Sequence, residues 1–281
     1  MDYQNYQKIA IASFMKKYEK IAKNIRKQIL EMIYRTKSPH IGSSFSIVEI
    51  LTALYFKYLK VSPKNPNSKN RDIFILSKGH ACPALYATLA ERGFFKKSIL
   101  EKFAVDNATL EQHPTRDVTK GIEVSTGSLG HGLSIGAGMA LAAKKDKSKR
   151  KIYVLVGDGE LAEGQNWEAM LFAYQHRLDN LILIVDYNKL QALGPMKKIL
   201  DLYPLAQKIK SFGWSVKEIN GHNFKEIFNT FKKIPFQKNK PNAIIANTIK
   251  GKGVSFMENK AVWHSKYPNE KEYEKAKKEL E

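Results

Sequence analysis

The sequence has a single cysteine, Cys82, in 281 residues. One cysteine excludes an internal disulfide framework and any zinc site built from several cysteines. Long apolar stretches are missing as well, because the apolar runs reach about six to eight residues and a membrane-spanning helix needs roughly 20. The first forty residues carry charges throughout and contain no apolar core of a signal peptide. We therefore expect a globular, cytoplasmic protein without a membrane partner.

Acidic residues are scarce relative to basic ones. The chain has 27 Asp and Glu against 47 Lys and Arg, which gives a formal net charge of +20. Such a charge can attract nucleic acids, acidic surfaces or anionic substrates. The basic residues are spread over termini and loops, as in AKKDKSKRK, without a zinc-finger, RRM or KH signature. We expect a solvated basic surface and no nucleic-acid partner.

What the chain does contain is an alternation of helical and strand patterns. Residues 6–35 have apolar residues at helical spacing among lysines, which predicts an amphipathic helix or helix pair. The runs KIYVLV, WEAMLFAYQHRL and LILIVDY follow in strand, helix, strand order, and DIFILS, WSVKEING and NAIIANTIK predict further strands. The prediction is one doubly wound α/β domain over residues 1–281 with a mainly parallel sheet. The polar tail from about residue 266 is predicted to be a short exposed helix or a frayed end.

Polar residues follow two of the predicted strands. The GDG of residues 157–159 follows KIYVLV, and Asn188 follows LILIVDY, with 28 residues between Gly159 and Asn188. In a parallel sheet both strand ends face the crevice where ligands bind. The carboxylate of Asp158 and the amide oxygen of Asn188 suit Mg²⁺ or Ca²⁺, and the flanking glycines let backbone NH groups approach phosphates. The pattern predicts a metal-bound diphosphate, although a bare GDG also occurs by chance in tight turns.

Longer motifs accompany this pair. GDG followed after this interval by Asn resembles the thiamine diphosphate motif. The segments LSKGHACPALYATLAERGFF, HPTRDVTKGIEVSTGSLGHGLSIGAGMALA and TIKGKGVSFMENKAVWH resemble those of transketolases. The resemblance runs from about residue 20 to about residue 265. It implies the thiamine diphosphate-binding fold and a transferase of the pentose phosphate pathway, which moves a two-carbon ketol unit from a ketose phosphate to an aldose phosphate.

The resemblance also assigns roles to individual residues. Asp158, Asn188 and the backbone carbonyl of Leu190 would hold the divalent cation, Mg²⁺ or alternatively Ca²⁺ or Mn²⁺. The other contacts with thiamine diphosphate would come from His80, Gly127, Ser128, Leu129, Gly159, Glu160, Lys250 and His264. The catalytic histidines would be His40, His80, His113 and His264, and Ser43 and Lys78 are weaker assignments.

The histidines have support beyond the resemblance. These four of the seven histidines lie beside glycine, proline or a turn, as in SPHIGSS and SKGHACP. Imidazole exchanges protons near neutral pH, and cleaving a ketose requires hydroxyl protons to move. His131 stands where the family often has glutamine, a departure that bears on cofactor or substrate contacts. We expect His131 and His222 to be structural and His176 to be exposed.

The resemblance covers only the diphosphate-binding part of a transketolase. In the family, the glutamate that activates the cofactor comes from a second, pyrimidine-binding domain, which does not follow Glu281 here. We expect a two-chain transketolase, a heterotetramer in which a C-terminal subunit supplies that glutamate, and the charged tail favours a natural subunit over a truncation. Glu163 matches a family glutamate at the subunit contact, the alternative being an ordinary acid at a helix N-terminus. An exposed apolar surface for the partner is expected too.

Three alternatives are open from the sequence. 1-Deoxyxylulose-5-phosphate synthases and α subunits of 2-oxoacid dehydrogenases share GDG and the downstream Asn, although SKGHACPALY and TGSLGHG favour a transketolase. A transketolase-like enzyme with an unusual donor is compatible with the same motifs. A non-catalytic binding protein that retains the fold is the third, and the retention of Asp158, Asn188 and the histidines argues against it.

Overall fold

A five-stranded parallel sheet organises the chain in a computed structural model that describes residues 3–116 and 119–281, with side chains from residue 13 onward. The strands lie in the order β1-β2-β3-β5-β4, and every neighbouring pair is parallel. They are β1 Ile73–Leu76, β2 Ile152–Gly157, β3 Leu181–Tyr187, β4 Ser215–Asn220 and β5 Asn242–Asn247. The predicted parallel α/β architecture is confirmed. Asp117 and Val118, in the HPTRDVTK segment, lie outside the described residues.

Helices cover both faces of the sheet. The α-helices are α1 Tyr3–Thr36, α2 Ile41–Phe45, α3 Val48–Ala53, α4 Cys82–Arg92, α5 His131–Lys145, α6 Gly164–Gln175, α7 Met196–Ile199, α8 Leu205–Ser211, α9 Phe224–Phe231 and α10 Glu270–Glu279. Short 3-10 turns occur at Gly79–Ala81, Lys97–Lys102, Gly159–Ala162 and Ala261–His264, and a π-helical turn at Leu54–Tyr58. In the described ranges, no helix combines the length and the apolar character that crossing a membrane requires.

Two apolar cores lie on opposite faces of the sheet, because successive strand side chains point to opposite sides. In β2, Tyr153 and Leu155 pack into the core that contains α1, α3, α4 and α9. Val154 and Val156 pack into the other core, with α5, α6 and α8. Residues of β1, β3 and β5 alternate between the two cores in the same way. The sheet is therefore covered on both faces, which explains why its strands read as continuous apolar runs.

The first and last helices refine the sequence predictions. Residues 6–35 form the single continuous helix α1 instead of a helix pair. The tail forms α10, which begins with a capping box between Asn269 and Glu272. It is packed and not merely exposed, because Ala276 and Leu280 are buried and the ring of Tyr273 stacks on Tyr34 of α1 at 3.9 Å.

Candidate functional site

A cavity of about 440 Å³ lies at the carboxyl ends of β2 and β3. The residues around it are His40, Ser43, Lys78, His80, His113, Gly127, Leu129, Gly157, Asp158, Gly159, Glu160, Asn188, Leu190, Gln191, Ala192, Lys250 and His264. The structure therefore brings together the residues predicted from the sequence, with two exceptions. Ser128 lies in a neighbouring hollow of about 370 Å³ with Gly127 and His131. Glu163 is exposed at the N-terminus of α6.

Three oxygen donors meet where β2 and β3 end. Asp158 starts the 3-10 turn after β2, and its carboxylate accepts hydrogen bonds from the backbone NH groups of Gly159 and Lys189. Asn188 follows β3, with its Oδ1 accepting from the backbone N of Leu190 at 3.1 Å. The carbonyl oxygen of Leu190 accepts from Lys250 Nζ at 3.2 Å. Register explains the closeness of the first two, because Gly157 of β2 is paired with Asp186 of β3.

These donors fit a hard divalent cation. No group of three or more His, Cys, Asp or Glu suited to a metal occurs among the described residues. The cavity instead offers one carboxylate, one amide oxygen and one backbone carbonyl. These are the ligand types of Mg²⁺ and Ca²⁺. Burial and the neighbouring Asp186 raise the pKa of Asp158 to about 7. A cation beside this carboxylate would favour its ionised form.

Asp186 lies beneath the cavity and joins four segments of the chain. Its fully buried carboxylate accepts hydrogen bonds from Ser46 Oγ at 2.7 Å, Lys78 Nζ at 2.5 Å, Asn188 Nδ2 at 3.0 Å and the hydroxyl of Thr248. The bond from Asn188 Nδ2 fixes the orientation of that amide. The ammonium of Lys78 holds the pKa of Asp186 below its usual range although burial acts to raise it. Asp186 therefore stays ionised, and its hydrogen bond from Asn188 holds one of the cation donors in position.

Three of the predicted histidines form a cluster on one side of the cavity. The ring centroids of His40, His80 and His264 lie 5.0 to 5.2 Å apart. Burial, with cationic neighbours adding to it, lowers the pKa of His40 to about 4, that of His264 to about 3 and that of His80 well below its usual value. All three imidazoles are therefore neutral at neutral pH, and each has an unprotonated ring nitrogen that can accept a hydrogen bond.

His113 and Gly127 approach each other in the lining of the same cavity. Gly127 has a φ of +153°, and a Cβ at this position would lie 3.0 Å from His113 Cδ2. Both the backbone conformation and the close contact require glycine. Gly127, at the start of the GSL segment, therefore lies in close contact with the His113 ring.

Lys250 supplies a buried ammonium to the cavity. It is 1% exposed, and its Nζ also contacts His264 Nδ1 at 2.9 Å. Burial and the nearby Lys78 lower its pKa to about 8. Lys78 is paired with Asp186, whereas the contacts of Lys250 are to a carbonyl and an imidazole, so Lys250 brings positive charge to an incoming anion.

Glu160 holds two loops together at the cavity edge. Its carboxylate accepts from the hydroxyl of Ser77 and from the backbone N of Gly130 at 3.0 Å and of Gly157 at 3.1 Å. The bond to Gly130 ties the end of the GSLG segment to the turn after β2. The Glu160 carboxylate thus bonds to groups of this chain and holds its loops together. The sequence had suggested a contact with the cofactor and did not predict this structural role.

Sequence reasoning missed some residues that shape the site. Gln191 and Ala192 line the cavity without belonging to a quoted motif. Asp186 could have been found from the sequence, because a charged residue inside the apolar strand LILIVDY needs a buried partner.

Two histidines outside the cavity agree with the sequence predictions. His176 is exposed, as predicted. His222 is half-buried and bonded to Glu49 and to the backbone of Ile249, in agreement with a structural role.

Comparisons with known proteins agree with this geometry. The family described as "Transketolase, thiamine diphosphate binding domain" matches residues 17–281. An apulose-4-phosphate transketolase subunit of Actinobacillus succinogenes is 47% identical over 265 residues, which cover 93% of this chain and 95% of that protein. The 6-deoxy-6-sulfo-D-fructose transketolase subunit SqwG of Clostridium sp. is 45% identical over 257 residues, covering 92% and 94%.

Solved structures of longer enzymes show the same fold. The transketolase of Campylobacter jejuni superposes with a TM-score of 0.88 at 32% identity over 94% of this chain and 42% of that one. The transketolase of Leishmania mexicana gives a TM-score of 0.87 at 28% identity over 94% and 41%. The chain thus spans about two fifths of the length of these solved enzymes. The chain belongs to the transketolase family, in which it matches the thiamine diphosphate-binding domain.

Proposed function

We propose that this chain is the N-terminal subunit of a two-chain transketolase. It binds thiamine diphosphate with Mg²⁺ and, together with a partner that carries the pyrimidine-binding domain, transfers a two-carbon ketol unit between sugar phosphates. The observation that carries the proposal is the cavity at the ends of β2 and β3, which is lined by the cation donors, by Lys250 and by four histidines.

The lengths of the relatives support the division into two chains. The chain covers 95% and 94% of two relatives that are themselves named transketolase subunits, but only about two fifths of the solved transketolases. We therefore infer that one domain, residues 1–281, works with a second polypeptide. That partner supplies the catalytic glutamate, and two chains of each kind assemble into a heterotetramer.

Asp158, Asn188 and the carbonyl of Leu190 would hold the divalent cation. The ammonium of Lys250 would bind the diphosphate oxygens, and the backbone of Gly159, whose NH bonds to Asp158 in this structure, would lie against them. Gly127 and Leu129 would line the aminopyrimidine. Bound thiamine diphosphate supplies the carbon nucleophile and the electron sink for ketose cleavage.

The histidine cluster would handle the protons of the sugar hydroxyls. His40, His80 and His264 have lowered pKa values and are neutral at neutral pH, so each can accept a hydrogen bond from a hydroxyl. His113 also lines the cavity, beside Gly127. A ketose bound in the cavity would have imidazoles within reach of several hydroxyls.

The outer surface of α5 and α6 is the proposed docking face for the partner. From His131 to Ala143, α5 carries no acidic or basic residue other than His131 itself, in a chain whose net charge is +20. Beside it, α6 exposes Leu171, Phe172 and Tyr174 at 57%, 40% and 46%. An apolar surface of this kind marks an interaction site. Both helices start at cavity loops, so a partner bound here would lie next to the cofactor, with Glu163 at the contact.

The relatives suggest more than one candidate for the ketose that donates the ketol unit. Two relatives are named for apulose 4-phosphate and 6-deoxy-6-sulfo-D-fructose, which differ from the xylulose 5-phosphate of an ordinary transketolase. All three are ketoses with an anionic group, which the basic surface would attract. We propose a sugar phosphate donor as the first choice and the sulfonated ketose as the second.

A coupled ketol-transfer assay tests the proposal. The chain is assayed alone and with a C-terminal transketolase subunit that carries the pyrimidine-binding domain, with thiamine diphosphate, Mg²⁺, an aldose phosphate acceptor and each of the three donors in turn. We expect transfer only in the mixture and with one donor preferred. Full activity of the pure chain would overturn the two-subunit proposal. Absence of transfer by a complex that has bound the cofactor would overturn ketol transfer from these donors.

A further inference from the structure

A buried network of charged and polar side chains lies behind the cavity, outside the proposed cofactor contacts. Arg26 of α1 donates from both terminal nitrogens to the carboxylate of Glu49 of α3, at 2.7 and 2.8 Å. Glu49 also contacts Nδ1 of His222 at 2.9 Å. The three side chains are 7%, 9% and 11% exposed. The network therefore joins two helices to the loop that follows β4.

The bonds of His222 define its tautomer. The backbone N of Ile249 donates to His222 Nε2 at 2.8 Å, so Nε2 is the acceptor and carries no proton. Nδ1 then carries the proton and donates it to Glu49. One carboxylate thus orients a neutral imidazole, which in turn binds one specific backbone NH group, in the way that carboxylates orient metal-binding histidines.

The backbone group bound by His222 belongs to the segment that carries Lys250. At the far end of this segment, Arg26 Nε donates to the carbonyl of Lys252 at 2.8 Å. Between them, the backbone N of Gly251 donates to the carbonyl of Gly42 at 3.0 Å. The network therefore holds residues 249–252 at both ends, while the side chain of Lys250 extends into the cavity.

We infer that His222 is a positioning residue that fixes Lys250 for diphosphate binding through its bond to Ile249. The inference rests on the proposed role of Lys250 at the cofactor. It requires the Nε2 acceptor specifically, since the bond from Nδ1 ends on Glu49 and does not touch the segment. Nothing in this role needs His222 to contact a ligand.

Two substitutions distinguish the roles of Nδ1 and Nε2 of the His222 ring. In His222→Asn the amide reaches the position of Nδ1 and can still donate to Glu49, but the acceptor for Ile249 is lost. In His222→Gln the amide reaches the position of Nε2, and its oxygen can accept from Ile249. Lys225→Gln, at an exposed residue beside the network, is the matched control. The three variants and the unmodified chain, each assembled with the C-terminal subunit, are titrated with thiamine diphosphate at saturating Mg²⁺ by calorimetry, and amide hydrogen exchange is measured over residues 248–253.

We expect His222→Asn to bind thiamine diphosphate on the order of tenfold more weakly, the size of one lost buried hydrogen bond, and to exchange the Ile249 amide faster. His222→Gln should recover most of both properties, and the control should match the unmodified chain. Equal losses in the Asn and Gln variants, or unchanged affinity in His222→Asn, would overturn the inference. If the complex containing the unmodified chain bound no thiamine diphosphate, the proposed function would fail, and Ile249 exchange that is the same in the Asn variant as in the unmodified chain would still refute the positioning role.

Discussion

The buried pair of Lys78 and Asp186 gives a direct test of how the cavity floor is held. Their side chains are 2% and 0% exposed, and Nζ lies 2.5 Å from Oδ2. Asp186→Asn keeps the shape but leaves the Lys78 ammonium buried without its counter-charge, which costs about 3–5 kcal/mol. For a chain of about this size each kcal/mol lowers the melting temperature by roughly 2–4 °C, so we expect a fall of about 6–20 °C.

A double variant shows whether the cost comes from the unpaired charge. Lys78→Met together with Asp186→Asn removes both charges, and we expect it to be more stable than Asp186→Asn alone. Asp146→Asn, at an exposed residue after α5, is the control and should change stability by about 0.5 kcal/mol or less. Melting followed by circular dichroism measures the double variant, the two single variants Lys78→Met and Asp186→Asn, and the control. A double variant as unstable as the sum of its two single variants would refute the reasoning.

The remaining predictions concern the cation, the histidines and pH. Asp158→Ala should abolish Mg²⁺-dependent binding of thiamine diphosphate, measured by calorimetry, and unchanged affinity in the assembled enzyme would contradict the metal role. His264→Ala or His80→Ala should slow ketol transfer more than it weakens cofactor binding, whereas equal losses would assign that residue to cofactor binding alone. Burial acts to raise the pKa of Glu49, but Arg26 and His222 together outweigh it and the pKa falls from 4.5 to about 2. The ionised carboxylate therefore contributes roughly 3 kcal/mol of stability above pH 4.5, and the contribution is lost as pH falls toward 2. Glu49→Gln should thus destabilise the chain more at pH 6 than at pH 3 in urea unfolding, and an equal effect at both would argue against a lowered pKa.

Glu160 and Glu163 have different roles along the same edge of the cavity. Glu160 is buried and bonded to the backbone of Gly130 and Gly157, so it holds the loops of this chain. Glu163 is exposed only three residues later, at the start of α6. One acid is thus buried within this chain, and the other lies at the surface that we propose for the partner.

Local sequence patterns were enough to predict the parallel α/β fold and most of the cavity. Apolar periodicity is a local property, and GDG and Asn188 lie at strand ends that any parallel sheet brings to one edge. Long, ordered motifs extended this prediction to His40, His80, His113 and His264, which the structure places around the same cavity.

The support of these groups depends on packing that no local pattern encodes. The sequence did not reveal that Glu49 binds His222, because the two residues are 173 positions apart. The resemblance assigned Ser128 to the stretch that lines the aminopyrimidine, and only the structure shows that Ser128 lies in a hollow beside the cavity, with Gly127 and His131. Hydrogen bonds between distant segments depend on how the helices pack against the sheet, so the tautomer of His222 and the pairing of Lys78 with Asp186 appear only when the chain has folded.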